Sequence, residues 1–205
     1  MNRILYLGAA ALSALSLAAC NQQEAKEASP GQTGPVNAAQ DATSAAVGQT
    51  SASTLGNTTE GFATGAAVSD MYEITAGKIA QTKASSADVK AFASMLVDAH
   101  TKTAGELKPL AAAANVTLPA ELDQRRKGLI DNLNAATAAD FDKVYLNQQA
   151  AAHEEALTLF KAYADGGDNA GLKAFAAKTQ PALQEHLDRA RALQGGGAAT
   201  PPAAK

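Results

Sequence analysis

Between Phe92 and Ala114, the residues Phe92, Leu96, His100, Thr103, Leu107, Leu110 and Ala114 recur every three or four positions. That spacing aligns them on one face of a helix and commits the stretch to burial against other helices. Three further stretches repeat the pattern. Thr59–Lys83 aligns Phe62, Ala66, Ser69, Glu73, Ala76 and Ala80. A third, ending near Ala164, aligns Phe141, Tyr145, Ala152, His153, Leu157 and Phe160. A fourth aligns Leu172, Phe175, Thr179, Leu183, His186, Ala190 and Leu193. Alanine is abundant in all four and is the best helix former, so the predicted fold class is all-α.

The connections refine this expectation. Ser85 and Ser86 offer caps for a second helix over Ala87–Ala114, and Gly166-Gly167 separates the third helix from the fourth, with Asp168 as the expected cap. Thr137-Ala-Ala-Asp140 reads as a capping box for the third helix. Between the two hairpins, Pro119 is placed to start a short extra helix carrying Leu122, Leu129, Ile130 and Leu133. A segment of this length can cross from one end of a bundle to the other, which is the connection of a ferritin-like four-helix bundle. Pro109 and Pro181 fall inside helices two and four and are expected to kink or interrupt them.

The ends of the chain read differently. Residues 1–19 have one early charge, Arg3, then an apolar run from Ile4 to Ala19, the anatomy of a secretory signal. Its end, Leu17-Ala18-Ala19-Cys20, resembles the lipobox of bacterial lipoproteins, which implies cleavage before Cys20 and lipidation of that cysteine. Asn21 in place of an aspartate leans toward the outer membrane. Residues 20–58 are rich in Gln, Ala, Ser, Thr and Gly and carry few large apolar side chains, so the expectation is a disordered tether. Residues 195–205, with Gly195-Gly196-Gly197 and Pro201-Pro202, read as a disordered tail. The folded domain is expected over residues 59–194.

The three histidines, His100, His153 and His186, all fall on apolar stripes, and Glu73 falls on the stripe of the first helix. Each long helix thus offers one potential ligand for a transition metal such as zinc, iron or copper. Glu73 and His100 stand at similar distances from their shared turn. Counted from Gly166-Gly167, His186 stands deeper than His153 by about 9 Å at the helical rise. That offset predicts two- or three-ligand subsets rather than one four-ligand site. Di-iron enzymes of the ferritin-like class place a glutamate three residues before a histidine on two helices. Here Val97, Ala150 and Leu183 occupy those positions, which argues against an oxidase of that type. The competing expectation is a polar layer in which the histidines and Tyr145 bond to each other or to a carboxylate.

Other chemistries lack their residues. Acids outnumber bases, 20 to 17, so nothing attracts a phosphate backbone and no nucleic-acid partner is expected. The chain has one cysteine, so no internal disulfide and no Cys-x-x-Cys, and it has neither a glycine-rich phosphate loop nor a Gly-x-Ser-x-Gly elbow. Arg125-Arg126-Lys127 reads as an ordinary surface cluster.

The segments around Tyr72 and His100 (SDMYEITAGKIAQTKASSADVKAFASMLVDAHTKTAGEL), His153 (FDKVYLNQQAAAHEEALTLF) and His186 (LKAFAAKTQPALQEHL) resemble a bacterial family of unknown function. That family is usually labelled predicted outer membrane protein and has a four-helix ferritin-like domain. The resemblance implies that His100, Tyr145, His153 and His186, with Glu73, are its recurrent polar positions. It often has an acid directly before the second-helix histidine; here that residue is Ala99, and the acid is Asp98. The expected function is a lipid-anchored envelope protein with a structural or stress-associated role, joined to the membrane through Cys20, with no cofactor. The alternatives are a metal-binding ferritin-like protein using Glu73, His100, His153 and His186, or a module that binds a small ligand or a protein.

Overall fold

A computed structural model describes residues 34–197, with side chains from Asn37 onward. Cys20, the leader at 1–19 and most of the C-terminal tail lie outside the described residues. Six helices follow in order: α1 (Gly34–Leu55), α2 (Thr59–Lys83), α3 (Ala87–Ala113), α4 (Gln124–Ala135), α5 (Phe141–Gly166) and α6 (Ala170–Gln194). Among the described residues there is no strand, and no helix is long and apolar enough to cross a membrane.

The two hairpins form as their sequence periods require. α2 packs along α3 and α5 along α6, while α2–α5 and α3–α6 contacts close the arrangement around a common core. α3 starts at Ser86, whose hydroxyl accepts from Val89 N. Asp142, on α5, secures the same turn by accepting from Ser85 N at 2.9 Å and Ser86 N at 2.8 Å. Both prolines are absorbed: α3 runs through Pro109 and α6 through Pro181 without interruption.

Three local expectations shift. α4 begins after Asp123, which accepts from Arg126 N at 2.7 Å, because its carboxylate rather than Pro119 satisfies the first free amide. α6 is capped by Asn169, which accepts from Leu172 N at 3.0 Å, because Asp168 is already engaged by the hydroxyls of Thr59 and Tyr163. At α5, Thr137 Oγ1 accepts from Asp140 N at 3.3 Å and donates to Asp140 Oδ2 at 2.7 Å, making a closed turn ahead of a helix that begins at Phe141.

The larger correction concerns the expected tether. Most of it, Gly34–Leu55, is helix α1, laid against α5 and touching α2 and α4. No large apolar stripe announces it, because its contacts are made by small and polar residues. Gly48, Ala52 and Gly56 are buried at four-residue intervals, while Val47 and Leu55 stay exposed. A Cβ on Gly56 would stand 2.9 Å from the Leu159 carbonyl oxygen, so only glycine permits this approach of α1 to α5. Asp41 then accepts from Asn132 and Gln148, each at 2.7 Å, and Thr158 donates to Gln49 at 2.8 Å. Arg125 and Arg126 are likewise not a free surface cluster: both donate to Glu155 Oε1 at 2.7 Å, and Arg125 also reaches the Ser44 carbonyl on α1.

The core has two apolar halves. One gathers Tyr72, Phe92, Leu96, Leu133, Phe141, Tyr145 and Leu187. The other gathers Phe62, Leu107, Phe160, Tyr163, Leu172 and Phe175, with Phe62 stacked on Tyr163 at a centroid separation of 4.3 Å. On α3, α5 and α6 the single histidine falls at the junction between these halves, so all three meet in one transverse layer.

Candidate metal centre

The layer is built from one face of each long helix. α2 supplies Asp70 and Glu73, three residues apart and therefore adjacent on its surface. α3 supplies His100, α6 supplies His186, and α5 supplies Tyr145, Gln149 and His153 on three successive turns. Glu73 and His153 are each 1 % exposed, His100 3 % and His186 7 %.

The three imidazoles form a nearly equilateral triangle. Ring centroids stand 5.6 Å apart for His100–His153 and His100–His186, and 5.3 Å for His153–His186. One nitrogen from each ring can be chosen so that all three lie within 4.8 Å of one another. His153 Nε2 and His186 Nδ1 are 3.3 Å apart. Two nitrogens bound to one tetrahedral zinc ion at ~2.0–2.1 Å would stand about 3.4 Å apart. Glu73 Oε1 lies 3.9 Å from His153 Nδ1, so the carboxylate stands beside the outer nitrogen of that ring.

The three histidines therefore converge as a three-ligand subset without Glu73, and the predicted axial offset of His186 does not separate it from His153. Two effects remove it. The turn itself occupies the residues after Gly166, so His186 stands sixteen positions into α6 and His153 thirteen before the end of α5. Side chains also lean toward the N-terminus of their own helix. In an antiparallel pair this tilts His153 away from the turn and His186 toward it, which closes the remaining gap.

Hydrogen bonds fix the orientation of two rings. His100 Nδ1 lies 2.8 Å from Asp70 Oδ1, and the Thr103 hydroxyl donates to the same oxygen at 2.9 Å. A carboxylate only accepts, so Nδ1 carries the proton and Nε2 is left facing inward without a partner. His153 Nδ1 lies 2.8 Å from the Gln149 carbonyl oxygen, which by the same reasoning places its proton on Nδ1 and its lone pair on Nε2. Metal-bound histidines are held in this way by a carboxylate or a backbone carbonyl on the other nitrogen.

The remaining polar atoms are unsatisfied. Among the described residues, eight buried side-chain atoms lack a hydrogen-bond partner, and six belong to this layer: both oxygens of Glu73, His100 Nε2, the Tyr145 hydroxyl and both amide atoms of Gln149. Such atoms are rare in native interiors, and a concentration of them in one place marks a layer whose bonding an ion or ordered water completes.

Electrostatics follow from burial. Burial raises the Glu73 carboxyl to about 7, against the pull of His100. Burial also lowers His186 to about 3, aided by His100 and Arg189, and holds His153 well below the usual histidine value, aided by His100 and His186. Burial opposes the charge on His100 too, but its bond to Asp70 and the charges of Glu73 and Asp70 win, so its pKa is raised. At neutral pH, His153 and His186 are therefore uncharged, and without an ion His153 Nε2 accepts a hydrogen bond from His186 Nδ1 at 3.3 Å.

Sequence reading located Glu73, Tyr145 and the three histidines, and placed Thr103 on the inner stripe without a role, but missed Asp70 and Gln149. Asp70 was detectable as the second acid on the Glu73 face, and Gln149 as a polar residue one turn from His153. Asp98 and Glu185, by contrast, are exposed, and Glu154 pairs with Arg191 at 2.7 Å, so none of these neighbouring acids joins the layer. No curated protein and no solved structure matches the chain. The family model described as "Domain of unknown function (DUF4142)" matches residues 42–193, taking in much of α1 with the remaining five helices, and the chain belongs to that family.

Proposed function

We propose that this protein binds one divalent transition-metal ion through His100, His153 and His186, with the Glu73 carboxylate as a neighbouring negative charge, and that it does so as a lipid-anchored protein of the cell envelope. The observation carrying the metal reading is the clustering of six unpaired buried polar atoms around three converging imidazoles, two of which already have their outer nitrogens fixed. A purely structural polar layer would satisfy its own members, since each unpaired buried group costs about 1–3 kcal/mol. The donor set of three imidazole nitrogens, with no thiolate, favours zinc or copper over magnesium or calcium. The ferritin-like description rests on the two hairpins and the α4 crossover, but the Glu-x-x-His pairs of a di-iron centre are not in the sequence, and a single ion is the reading that fits. Protein purified without chelator is expected to carry about one equivalent of zinc or copper, or to take it up on titration. A chain that stays below a tenth of an equivalent under saturating metal would end this reading.

Two smaller predictions accompany it. Asp70→Asn keeps an acceptor for His100 Nδ1 but removes the charge. Metal affinity is expected to fall ~10–100-fold, the usual effect of losing such an outer partner. A competition titration against a chromophoric chelator measures it, and an unchanged constant would mean that Asp70 does not act through His100. For the anchor, the lipobox-like Leu17-Ala18-Ala19-Cys20 supports lipidation, so Cys20→Ser is expected to move the protein from the membrane to the soluble fraction. Continued tight membrane association would instead point to an uncleaved apolar leader.

A further inference from the structure

Away from the histidine layer, α1 closes a cavity of about 170 Å3 against α4 and α5, with Tyr72 of α2 in its lining. Its walls are mostly small and apolar: Ala38, Ala42 and Ala45 from α1, Leu129 from α4, and Ala151 and Ala152 from α5. Ala38, Ala42 and Asn147 are exposed and mark its mouth, whereas Tyr72, Leu129 and Gln148 are buried and mark its floor.

Asp41 lines the same cavity, and its charge is unbalanced. Its two oxygens accept from Asn132 Nδ2 and Gln148 Nε2, each at 2.7 Å, and both donors are neutral amides. The Gln148 amide is itself fixed, because Tyr72 donates to its Oε1 at 2.8 Å and its Nε2 also donates to the Leu129 carbonyl. No ion pair among the described residues includes Asp41. The arginines that line the cavity are already engaged. Arg125 and Arg126 both bond Glu155, and Arg126 also bonds Asp123, so two guanidinium groups meet two carboxylates and Asp41 is the surplus charge. Burial raises its pKa against the two amide bonds, as expected for a carboxylate with no cation beside it. A carboxylate offers about four lone-pair sites, so the two amides leave acceptor capacity on both oxygens.

We propose that this cavity binds a small organic ammonium ion, its charged nitrogen donating to Asp41 and its apolar body lying against the alanines and Leu129. A cavity of about 150 Å3 holds benzene, which sets the body at about six to eight heavy atoms. Chemistry excludes the other classes. An anion would meet the Asp41 charge with no free guanidinium to offset it. A neutral apolar molecule would desolvate Asp41 without giving it a partner. A hard metal ion needs six or more oxygens, and these walls are mainly alkyl. The site stands apart from the metal reading, since none of its lining residues belongs to the histidine layer.

The test is calorimetric titration of the full-length protein at neutral pH with cyclohexylamine, a chelator being present so that no amine binds to a metal ion. Saturable binding of one equivalent is expected, and cyclohexanol, the uncharged isostere, is expected to bind at least about tenfold more weakly for want of the charge-assisted bond. Asp41→Asn is expected to weaken the amine by a similar factor of about ten and to erase its advantage over the alcohol. Ala42→Leu narrows the exposed mouth while Asp41 and its amide partners stay in place, and it too is expected to weaken the amine. Circular dichroism checks that both variants keep their helix content. Absence of saturable cyclohexylamine binding would overturn the proposal. Equal affinity for amine and alcohol in the wild type would reduce the cavity to an apolar pocket with no part for Asp41. An amine affinity unchanged in either variant would place the amine elsewhere on the protein.

Discussion

His153→Ala is expected to abolish stoichiometric metal binding, lowering affinity by well over the ~10–100-fold that loss of an outer-shell partner costs. His153 is the central ring of the site. Its Nδ1–H is fixed by the Gln149 carbonyl, its Nε2 stands 3.3 Å from His186 Nδ1, and it borders the Glu73 carboxylate at 3.9 Å. Removing it leaves only two imidazoles at the site. The same substitution removes a fully buried ring and leaves a cavity, so the metal-free protein is expected to lose about 2–5 kcal/mol as well. The two effects separate the competing accounts. Metal content and chelator competition read the first, and urea unfolding of metal-free protein reads the second. If the layer were only structural, the unfolding midpoint would drop while wild type and variant held equally little metal.

The layer was legible in outline because helical periodicity is local. Glu73, Tyr145, His100, His153 and His186 each sit on an apolar stripe, and a stripe reveals which way a side chain faces without any knowledge of its neighbours. The bounds Thr59–Lys83 were equally legible, since the residues that start and stop that helix adjoin it in sequence. The height at which His186 meets His153 was not, because it depends on turn length and on the lean of the side chains. Asp70 was passed over because an acid next to an apolar stripe reads as solvated until a histidine on another helix is known to face it. Helix α1 was missed for a different reason. Pattern reading detects large apolar side chains, whereas α1 docks through Gly48, Ala52 and Gly56 and through polar bonds centred on Asp41, and neither has a periodic signature of its own.

The second large effect is a pH profile of metal-free stability with a maximum near 6.5. Consider first the acid side. His153 and His186 are held neutral when folded, with His186 at about 3, but in the unfolded chain both protonate near 6.5. A depressed histidine pKa means that the unfolded state binds more protons, so stability falls as pH drops below 6.5. Glu73 opposes this: its folded value of about 7 lies above its unfolded value of 4.5, so it favours the folded state in acid. Between 6.5 and 4.5 two histidines are set against one carboxyl, and the net loss is on the order of 1 kcal/mol per pH unit. Below 4.5 the carboxyl is protonated in both states, its contribution no longer grows, and the loss steepens to about twice that slope. On the alkaline side, Glu73 loses its proton through 7 and His100 through its raised value, and the stability that each contributes in acid is lost as pH rises. Bound metal changes the shape. It requires a deprotonated His100 Nε2, so its stabilisation, ~4 kcal/mol at a free concentration a thousandfold above the dissociation constant, is largest on the alkaline side and vanishes in acid. Urea midpoints measured from pH 4 to 8, with and without zinc, give both curves. Metal-free stability that stayed level between 6.5 and 4.5 would mean that His153 and His186 do not stay neutral in the folded protein. A zinc increment that persisted at pH 4.5 would place the ion outside this layer.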